Sequence, residues 1–160
     1  MAIWVCRTGN QGQYEKTFYE NSAIYYTRDG FDFDLAQSSK DVVISRLSEL
    51  MKDAARQTIS NTWSQIDIFS HRMNVGDIVI VPKKNSPIIA VGIISSQYRY
   101  KPDDMFPQKH TRSVDYIAFD INTALFSQDL RYSLRAYRTV FSIRQENKLM
   151  DELRRAGGSI

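Results

Sequence analysis

Apolar residues fall in short runs along this chain, and the clearest two lie on either side of a turn near its middle. Residues 77–81 are rich in β-branched apolar side chains, residues 82–87 contain prolines and polar turn formers, and residues 88–94 are apolar again. This pattern predicts a β-hairpin. Both strands are apolar at successive positions, so both faces of the sheet should be covered by other parts of the protein.

The other segments divide into predicted strands and predicted helices. Short apolar runs predict strands at residues 2–6, 23–27, 114–119 and 139–143. Apolar residues recurring every three or four positions predict helices at residues 14–20, 38–51, 57–71 and 144–155. The pattern of residues 122–135 is mixed, and it predicts a short helix near residues 123–126 and a turn at residues 128–129.

Composition indicates one globular domain, residues 1–155, in a soluble cytoplasmic protein. The chain has 160 residues, of which 42% are hydrophobic, and this excludes a disordered chain. A net charge of +3 permits, without requiring, an anionic partner such as nucleic acid. We find no run of apolar residues long enough for a membrane helix and no leader. Residues 156–160, with adjacent glycines, are expected to begin a linker to a missing C-terminal part.

The sequence offers little for catalysis. A nuclease core of the PD-(D/E)xK kind needs acidic residues and a lysine on adjacent strands. The chain contains residues of these types, but Asp103 falls in a predicted loop and the pair Glu146 and Lys148 falls on a predicted surface helix. The single cysteine and the two histidines have no zinc-binding spacing. We therefore expect a chain that is not an enzyme and that holds no metal or cofactor.

The segment after the hairpin interleaves aromatic residues with cations. The aromatic and histidine positions are Tyr98, Tyr100, His110 and Tyr116. The cations among them are Arg99, Lys101, Lys109 and Arg112. Aromatic rings stack on bases, contributing about 1–3 kcal/mol each, and cations hold phosphates. The pattern favours a nucleic-acid site, with His110 and Arg112 in a loop, residues 101–113. The alternative is that these side chains only cap the end of a barrel.

Two further regions are candidates for anion binding. Residues 7–13 form a glycine-containing turn that starts with Arg7, but without a following Lys-Ser/Thr pair it is more simply a plain turn. A second cationic group could extend the positive face of the protein. It consists of Arg131, Arg135, Arg138 and Arg144, with Tyr132 and Tyr137 among them. Trp63, on the apolar stripe of a predicted helix, is either a core residue or one wall of a pocket.

The order of several short motifs resembles the N-terminal domain of Mrr-like restriction endonucleases. The first begins with Trp4 and Val5, continues through Arg7 and the two glycines, and ends at residue 15. Further motifs follow at residues 24–27, 63–69, 73–82, 90–94, 98–100, 110–116 and 133–140. The resemblance extends to about residue 143. Where that family often has tryptophan, this chain has Tyr116.

The resemblance implies an α+β fold of the PUA-like group that includes EVE and YTH domains, a small mixed β-barrel flanked by helices. It also implies a module that reads a modified base in double-stranded DNA for a modification-dependent (type IV) restriction and anti-phage system. A nuclease domain, fused or separate, would be the partner. The base would be extruded from the duplex into an aromatic pocket at a cost of a few kcal/mol.

On this interpretation the site residues form two groups. The predicted base pocket consists of Trp63, Tyr98, Tyr100, His110, Arg112 and Tyr116. The predicted contacts to the DNA backbone are Arg7, Lys83, Lys84, Arg99, Lys101, Lys109, Arg131 and Arg135. Two other functions remain open: a sensor domain for a small nucleotide ligand, and a protein-interaction module of a defence complex.

Overall fold

A mixed sheet of seven strands lies at the centre of the structure. The computed structural model describes residues 1–136 and 138–156. Its strands are β1 (Ile3–Cys6), β2 (Ala23–Tyr25), β3 (Ile78–Pro82), β4 (Ile88–Ile94), β5 (Arg99–Tyr100), β6 (His110–Asn122) and β7 (Val140–Ser142). Its α-helices are α1 (Glu15–Glu20), α2 (Lys40–Leu50), α3 (Arg56–Asp67), α4 (Gln128–Leu134) and α5 (Glu146–Arg155). A π-helical turn, Ile68–Arg72, continues α3.

The strands follow the order β2-β6-β4-β3-β1-β7, and β5 pairs with β6 outside this path. Strands β1 and β3 are parallel, and the other pairs are antiparallel. The sheet curls into a half-barrel with β2 and β7 at the two ends of the path. The predicted α+β class, a barrel-like mixed sheet flanked by helices, is confirmed.

The hairpin of β3 and β4 has both faces covered, as its sequence predicts. Ile78 and Ile80 pack into a core that also contains the inner residues of α4 and α5. Val79 and Val81 point the other way, into a core shared with α1, α2 and α3. The alternation arises because successive side chains of a strand lie on opposite faces. Of the helices in the described residues, none is long and apolar enough to cross a membrane.

Two boundaries differ from the sequence predictions. Residues 128–129 were expected to form a turn, yet they begin helix α4, because Leu130 and Leu134 lie four apart and both face the core. The predicted helix near residues 123–126 is a single 3-10 turn, Thr123–Leu125. Tyr137 and residues 157–160, most of the predicted linker, lie outside the described residues.

Strand β6 begins four residues earlier than predicted, which corrects the assignment of His110 and Arg112 to a loop. Residues 110–113 are polar, and the sequence pattern therefore favours a loop. In the fold they pair with β2, where Ile24 lies opposite Arg112. This pairing between distant segments overrides the local preference of the residues.

The buried carboxylate of Asp77 ties the N-terminus of the chain to the start of the hairpin. Its Oδ2 accepts hydrogen bonds from Trp4 Nε1 at 2.9 Å and from the Asn74 backbone N–H at 2.9 Å. Its Oδ1 accepts from the Ala2 backbone N–H at 3.2 Å. The side chain therefore satisfies three donors that would otherwise lack a partner next to the parallel pair of β1 and β3.

Candidate functional site

Three of the residues predicted to line a base pocket, Tyr98, Tyr100 and His110, form a stack of rings. The rings of Tyr98 and Tyr100 lie on either side of the His110 ring, with centroid distances of 6.0 Å and 5.2 Å. His110 is only 4% exposed. Both ring nitrogens of His110 have partners within the protein. Tyr98 O–H donates to Nδ1 at 2.6 Å, and Nε2 donates to the Phe31 carbonyl oxygen at 2.7 Å.

This network holds His110 as a neutral imidazole. The Tyr98 oxygen also accepts a hydrogen bond from the Leu35 N–H, so its own proton is directed at His110. Burial lowers the pKa of His110 below its ordinary value of 6.5. Since Nδ1 must accept while Nε2 donates, protonation of the ring would remove the acceptor that Tyr98 uses.

Stability should therefore decrease in mild acid. The unfolded chain binds a proton at His110 near pH 6.5 and the folded chain does so only at lower pH, so the stabilisation is complete above that pH and is lost below it. From pH 7 to pH 5, chemical denaturation should show the free energy of unfolding falling by up to about 1.4 kcal/mol per pH unit from this residue. The pH dependence should be weaker in His110→Gln. It should persist in His71→Gln, the control at an exposed histidine; equal slopes in all three proteins would contradict the assignment.

The other predicted pocket residues also have partners within the protein. Arg112, 2% exposed, donates from Nε to the Phe69 carbonyl oxygen at 2.7 Å, and burial lowers its pKa to about 10. Tyr116 donates its hydroxyl proton to the Ala23 carbonyl oxygen at 2.8 Å and packs against Tyr19. Trp63 is half-buried beneath the ammonium group of Lys40, 4.2 Å from the ring centroid.

The contacts of these six side chains thus give no support to a base pocket among them. The structure stacks Tyr98, Tyr100 and His110, whereas the ring contacts of Tyr116 are with Tyr19 and Phe119 and Trp63 lies beneath Lys40. Two large hollows lie elsewhere on the protein, and none of the six lines either hollow. We therefore take the two hollows as the candidate site.

The first, which we call the polar hollow, has a volume of about 630 Å³. Side-chain amides line it: Asn10, Gln13, Asn61 and Gln65. Hydroxyl groups add to them: Tyr26, Thr27, Thr58, Thr62 and Thr139. Arg28, Arg138 and Met51 complete the lining among the described residues. Tyr26 is buried at its edge against Phe69, and burial raises the pKa of its hydroxyl to about 12.

One face of helix α3 supplies four of these residues. Thr58, Asn61, Thr62 and Gln65 are spaced i, i+3, i+4 and i+7, which aligns them along one side of the helix. The Gln65 amide is oriented by the fold, because its Oε1 accepts from the backbone N–H groups of Thr139 at 2.9 Å and Val140 at 3.2 Å. The Nε2 group must then point away from β7, as a donor held in a fixed position.

The second hollow, which we call the cationic cleft, has a volume of about 870 Å³. Six cations line it: Arg7, Lys83, Lys84, Arg131, Arg135 and Arg138. The described residues of its lining include no acidic side chain. A chain with 21 basic and 18 acidic residues thus concentrates positive charge on one surface. The two hollows meet at Asn10, Arg138 and Thr139, which line both.

Arg7 holds the segment after α4 in place at one side of the cleft. Its guanidinium donates to the carbonyl oxygens of Leu134, Ala136 and Arg138 at 2.8–3.1 Å, and burial lowers its pKa. Across the cleft, the turn of the β3–β4 hairpin lies against Gly12. A Cβ atom on Gly12, whose φ is +69°, would come within 2.6 Å of the Lys84 Cβ. The glycine therefore allows this close approach as well as its own backbone conformation.

Five of the eight cations predicted to contact DNA line the cleft: Arg7, Lys83, Lys84, Arg131 and Arg135. The other three lie around the start of β6. Arg99 donates to the Ser113 hydroxyl oxygen at 2.6 Å, Lys109 pairs with Asp32 at 2.9 Å, and Lys101 is exposed beside them.

Sequence reasoning missed the residues of the polar hollow. The sequence does contain a signal for them, because the face of α3 beside the apolar stripe contains uncharged polar residues at helical spacing. A solvent-exposed helix face is usually rich in charge, so a run of threonine and amide side chains at i, i+3, i+4 and i+7 is unusual. The apolar stripe containing Ile59, Trp63 and Ile66 is the stronger pattern and determined the prediction.

Comparison with known proteins supports the fold. The profile of a family described as a domain of unknown function (DUF8426) matches residues 4–144. The crystal structure of the YTH domain of the Zygosaccharomyces rouxii MRB1 protein, in complex with N6-methyladenosine RNA, is similar over 97% of this chain and 86% of that chain, with 13% identity and a TM-score of 0.51. Protein Atu2648 from Agrobacterium tumefaciens matches over 99% and 95% of the two chains, with 12% identity and a TM-score of 0.39. No curated protein sequence matches the chain.

The chain therefore shares its overall fold with this YTH domain, and the predicted α+β fold is confirmed. The chain belongs to the family of domains of unknown function DUF8426.

Proposed function

We propose that this chain is a nucleic-acid reader that accepts one modified base in the polar hollow and binds the adjoining phosphates in the cationic cleft. The observation that carries the proposal is the contact between the two hollows at Asn10, Arg138 and Thr139. A nucleotide has a base edge that needs hydrogen-bonding groups and a phosphate that needs cations, and the two hollows supply these groups side by side.

The side chains that line the two hollows determine which part of the nucleotide each hollow would bind. The described lining of the cleft holds six cations and no acidic side chain, although Lys83 also pairs with Glu15 outside the lining at 3.9 Å. Such a surface binds phosphates whatever the base sequence. The amides and hydroxyl groups of the polar hollow can both donate and accept, so they can distinguish one base edge from another. A base inside a duplex cannot reach the hollow. Extrusion of one nucleotide, which takes a few kcal/mol, is therefore part of the proposal.

The kind of nucleic acid and the biological role are proposed from similarity to other proteins, not from the hollows. The YTH domain with a similar fold is in complex with N6-methyladenosine RNA, which supports the reading of a modified base. The motifs shared with the N-terminal domains of Mrr-like endonucleases favour double-stranded DNA and a modification-dependent restriction system. In this proposal the chain catalyses no reaction itself, and a nuclease fused to it or associated with it cleaves the DNA.

Titration of fluorescent DNA duplexes, with and without a modified base, at several salt concentrations tests the proposal. We expect binding that weakens steeply with salt, because each neutralised phosphate contributes about 0.9 to the slope of log K against log salt concentration. Failure to bind any duplex at low salt would contradict it.

A free nucleotide is the second candidate ligand, because the same pair of hollows fits one base and its own phosphates. The salt series separates the two candidates. A mononucleotide carries few phosphates, so its affinity should depend only weakly on salt, whereas a duplex that runs along the cleft should show the steep slope.

A further inference from the structure

The walls of the polar hollow are poorly suited to a methyl group alone. Of the described residues in its lining, Met51 is the one side chain without a hydrogen-bonding group. A methyl group gains affinity by filling an apolar slot, and such a gain is limited even where the slot is well fitted. The hollow therefore favours a base whose modification is itself polar.

Donors in fixed positions line the side formed by α3. Gln65 presents Nε2 because its oxygen is held by the Thr139 and Val140 N–H groups. The Asn61 oxygen accepts a hydrogen bond from Gln57 Nε2 at 2.9 Å, which directs the Asn61 NH₂ group away from Gln57. Thr62 lies between these two amides along the helix, and its hydroxyl oxygen is left as an acceptor because its proton is donated to the Thr58 carbonyl oxygen at 2.8 Å. Thr58 lies one turn earlier on the same face.

The size of the hollow agrees with this chemistry. Its volume of about 630 Å³ lies within the roughly 300–1,000 Å³ range of pockets that enclose drug-sized ligands. A planar base alone is smaller than such ligands. Space therefore remains for a substituent beside the base, next to the polar stripe of α3.

We infer that the modified base carries a hydroxyl-bearing substituent, a hydroxymethyl group or a hexose attached through one, and that Thr58, Asn61, Thr62 and Gln65 bind that substituent. This inference rests on the proposed function and specifies its substrate. Sugar hydroxyls can accept hydrogen bonds from the NH₂ groups of Asn61 and Gln65 and can donate to the hydroxyl oxygens of the threonines. A site built to bond hydroxyl groups discriminates against analogues that lack them, because its own polar groups are then left without partners.

The test uses duplexes that differ at a single cytosine, which is unmodified, 5-methylated, 5-hydroxymethylated or glucosylated on the 5-hydroxymethyl group. Fluorescence anisotropy should show the glucosylated duplex binding about tenfold or more tighter than the methylated one, the effect of two or more additional hydrogen bonds. In the variant Thr58→Val/Asn61→Leu this ratio should fall towards one. Both side chains are exposed, so the variant should fold, and thermal unfolding checks this.

The matched control is Ser60→Val/Ser64→Leu, two exposed polar positions of α3 that do not line the hollow. It should keep the wild-type ratio. Equal or tighter binding of the methylated duplex would overturn the inference and leave the proposed function standing. Absence of binding to all four duplexes at low salt would instead overturn the proposed function, so the two failures are distinguishable.

Discussion

Replacing Lys84 and Arg135 with alanine should weaken binding to duplex DNA about tenfold or more near physiological salt, whatever the sequence of the duplex. The two side chains are exposed and line the cationic cleft from opposite elements, the β3–β4 turn and the end of α4. If each contacts one phosphate, the slope of log K against log salt concentration should become shallower by about two. Anisotropy titrations at four or more salt concentrations measure both effects.

A control with the same loss of charge is available in the chain. Arg99→Ala/Lys101→Ala also removes two exposed cations, but these lie beside the aromatic stack at the start of β6 and outside the cleft. We expect this variant to keep most of the affinity and nearly the full slope. If the control loses as much as the cleft variant, net charge or the region around the aromatic stack governs binding, and the cleft is not the contact surface.

The largest effect on stability is expected for Asp77→Ala, at about 3–5 kcal/mol of unfolding free energy. Removal of the carboxylate leaves three donors, Ala2 N–H, Asn74 N–H and Trp4 Nε1–H, without this acceptor in a largely buried place. Breaking a buried polar network by removing one partner is among the most destabilising single changes. Unfolding by urea, followed by tryptophan fluorescence, gives the free energy.

Two further variants make this result specific. Asp77→Asn keeps one oxygen acceptor and should be destabilised by less than the alanine variant. Asp120→Ala removes an exposed carboxylate from β6 and should change the free energy of unfolding by no more than about 0.5 kcal/mol. An Asp77→Ala protein as stable as Asp120→Ala would show that the carboxylate network does not hold β1 to the hairpin.

The fold was more predictable than the site because strand and helix patterns are local. The β-branched runs around the hairpin and the apolar spacing of α2, α3 and α5 reflect burial that each segment needs on its own. Helix α4 was missed because only Leu130 and Leu134 carry its apolar signal, and their partners in the core come from distant segments. The polar start of β6 became a strand through its pairing with β2.

The candidate site depends on which face each residue occupies, and sequence alone does not give that information. Tyrosine, histidine and arginine at strand ends suit a base pocket as well as a packed stack, and the burial of His110 and Arg112 favours the packed stack. The cations of the cleft were identified individually. Their convergence results from the parallel pairing of β1 with β3 and from helix α4, neither of which a local pattern specifies.

The most direct test of the account follows the side-chain amide signals of Asn10, Asn61 and Gln65 by ¹⁵N NMR during titration with a duplex carrying a modified base. The account predicts that these NH₂ signals shift in proportion to the bound fraction, while the ring signals of Tyr98, Tyr100 and His110 stay in place. Movement of the three ring signals with unchanged amide signals would contradict it, and would locate the base at the aromatic stack.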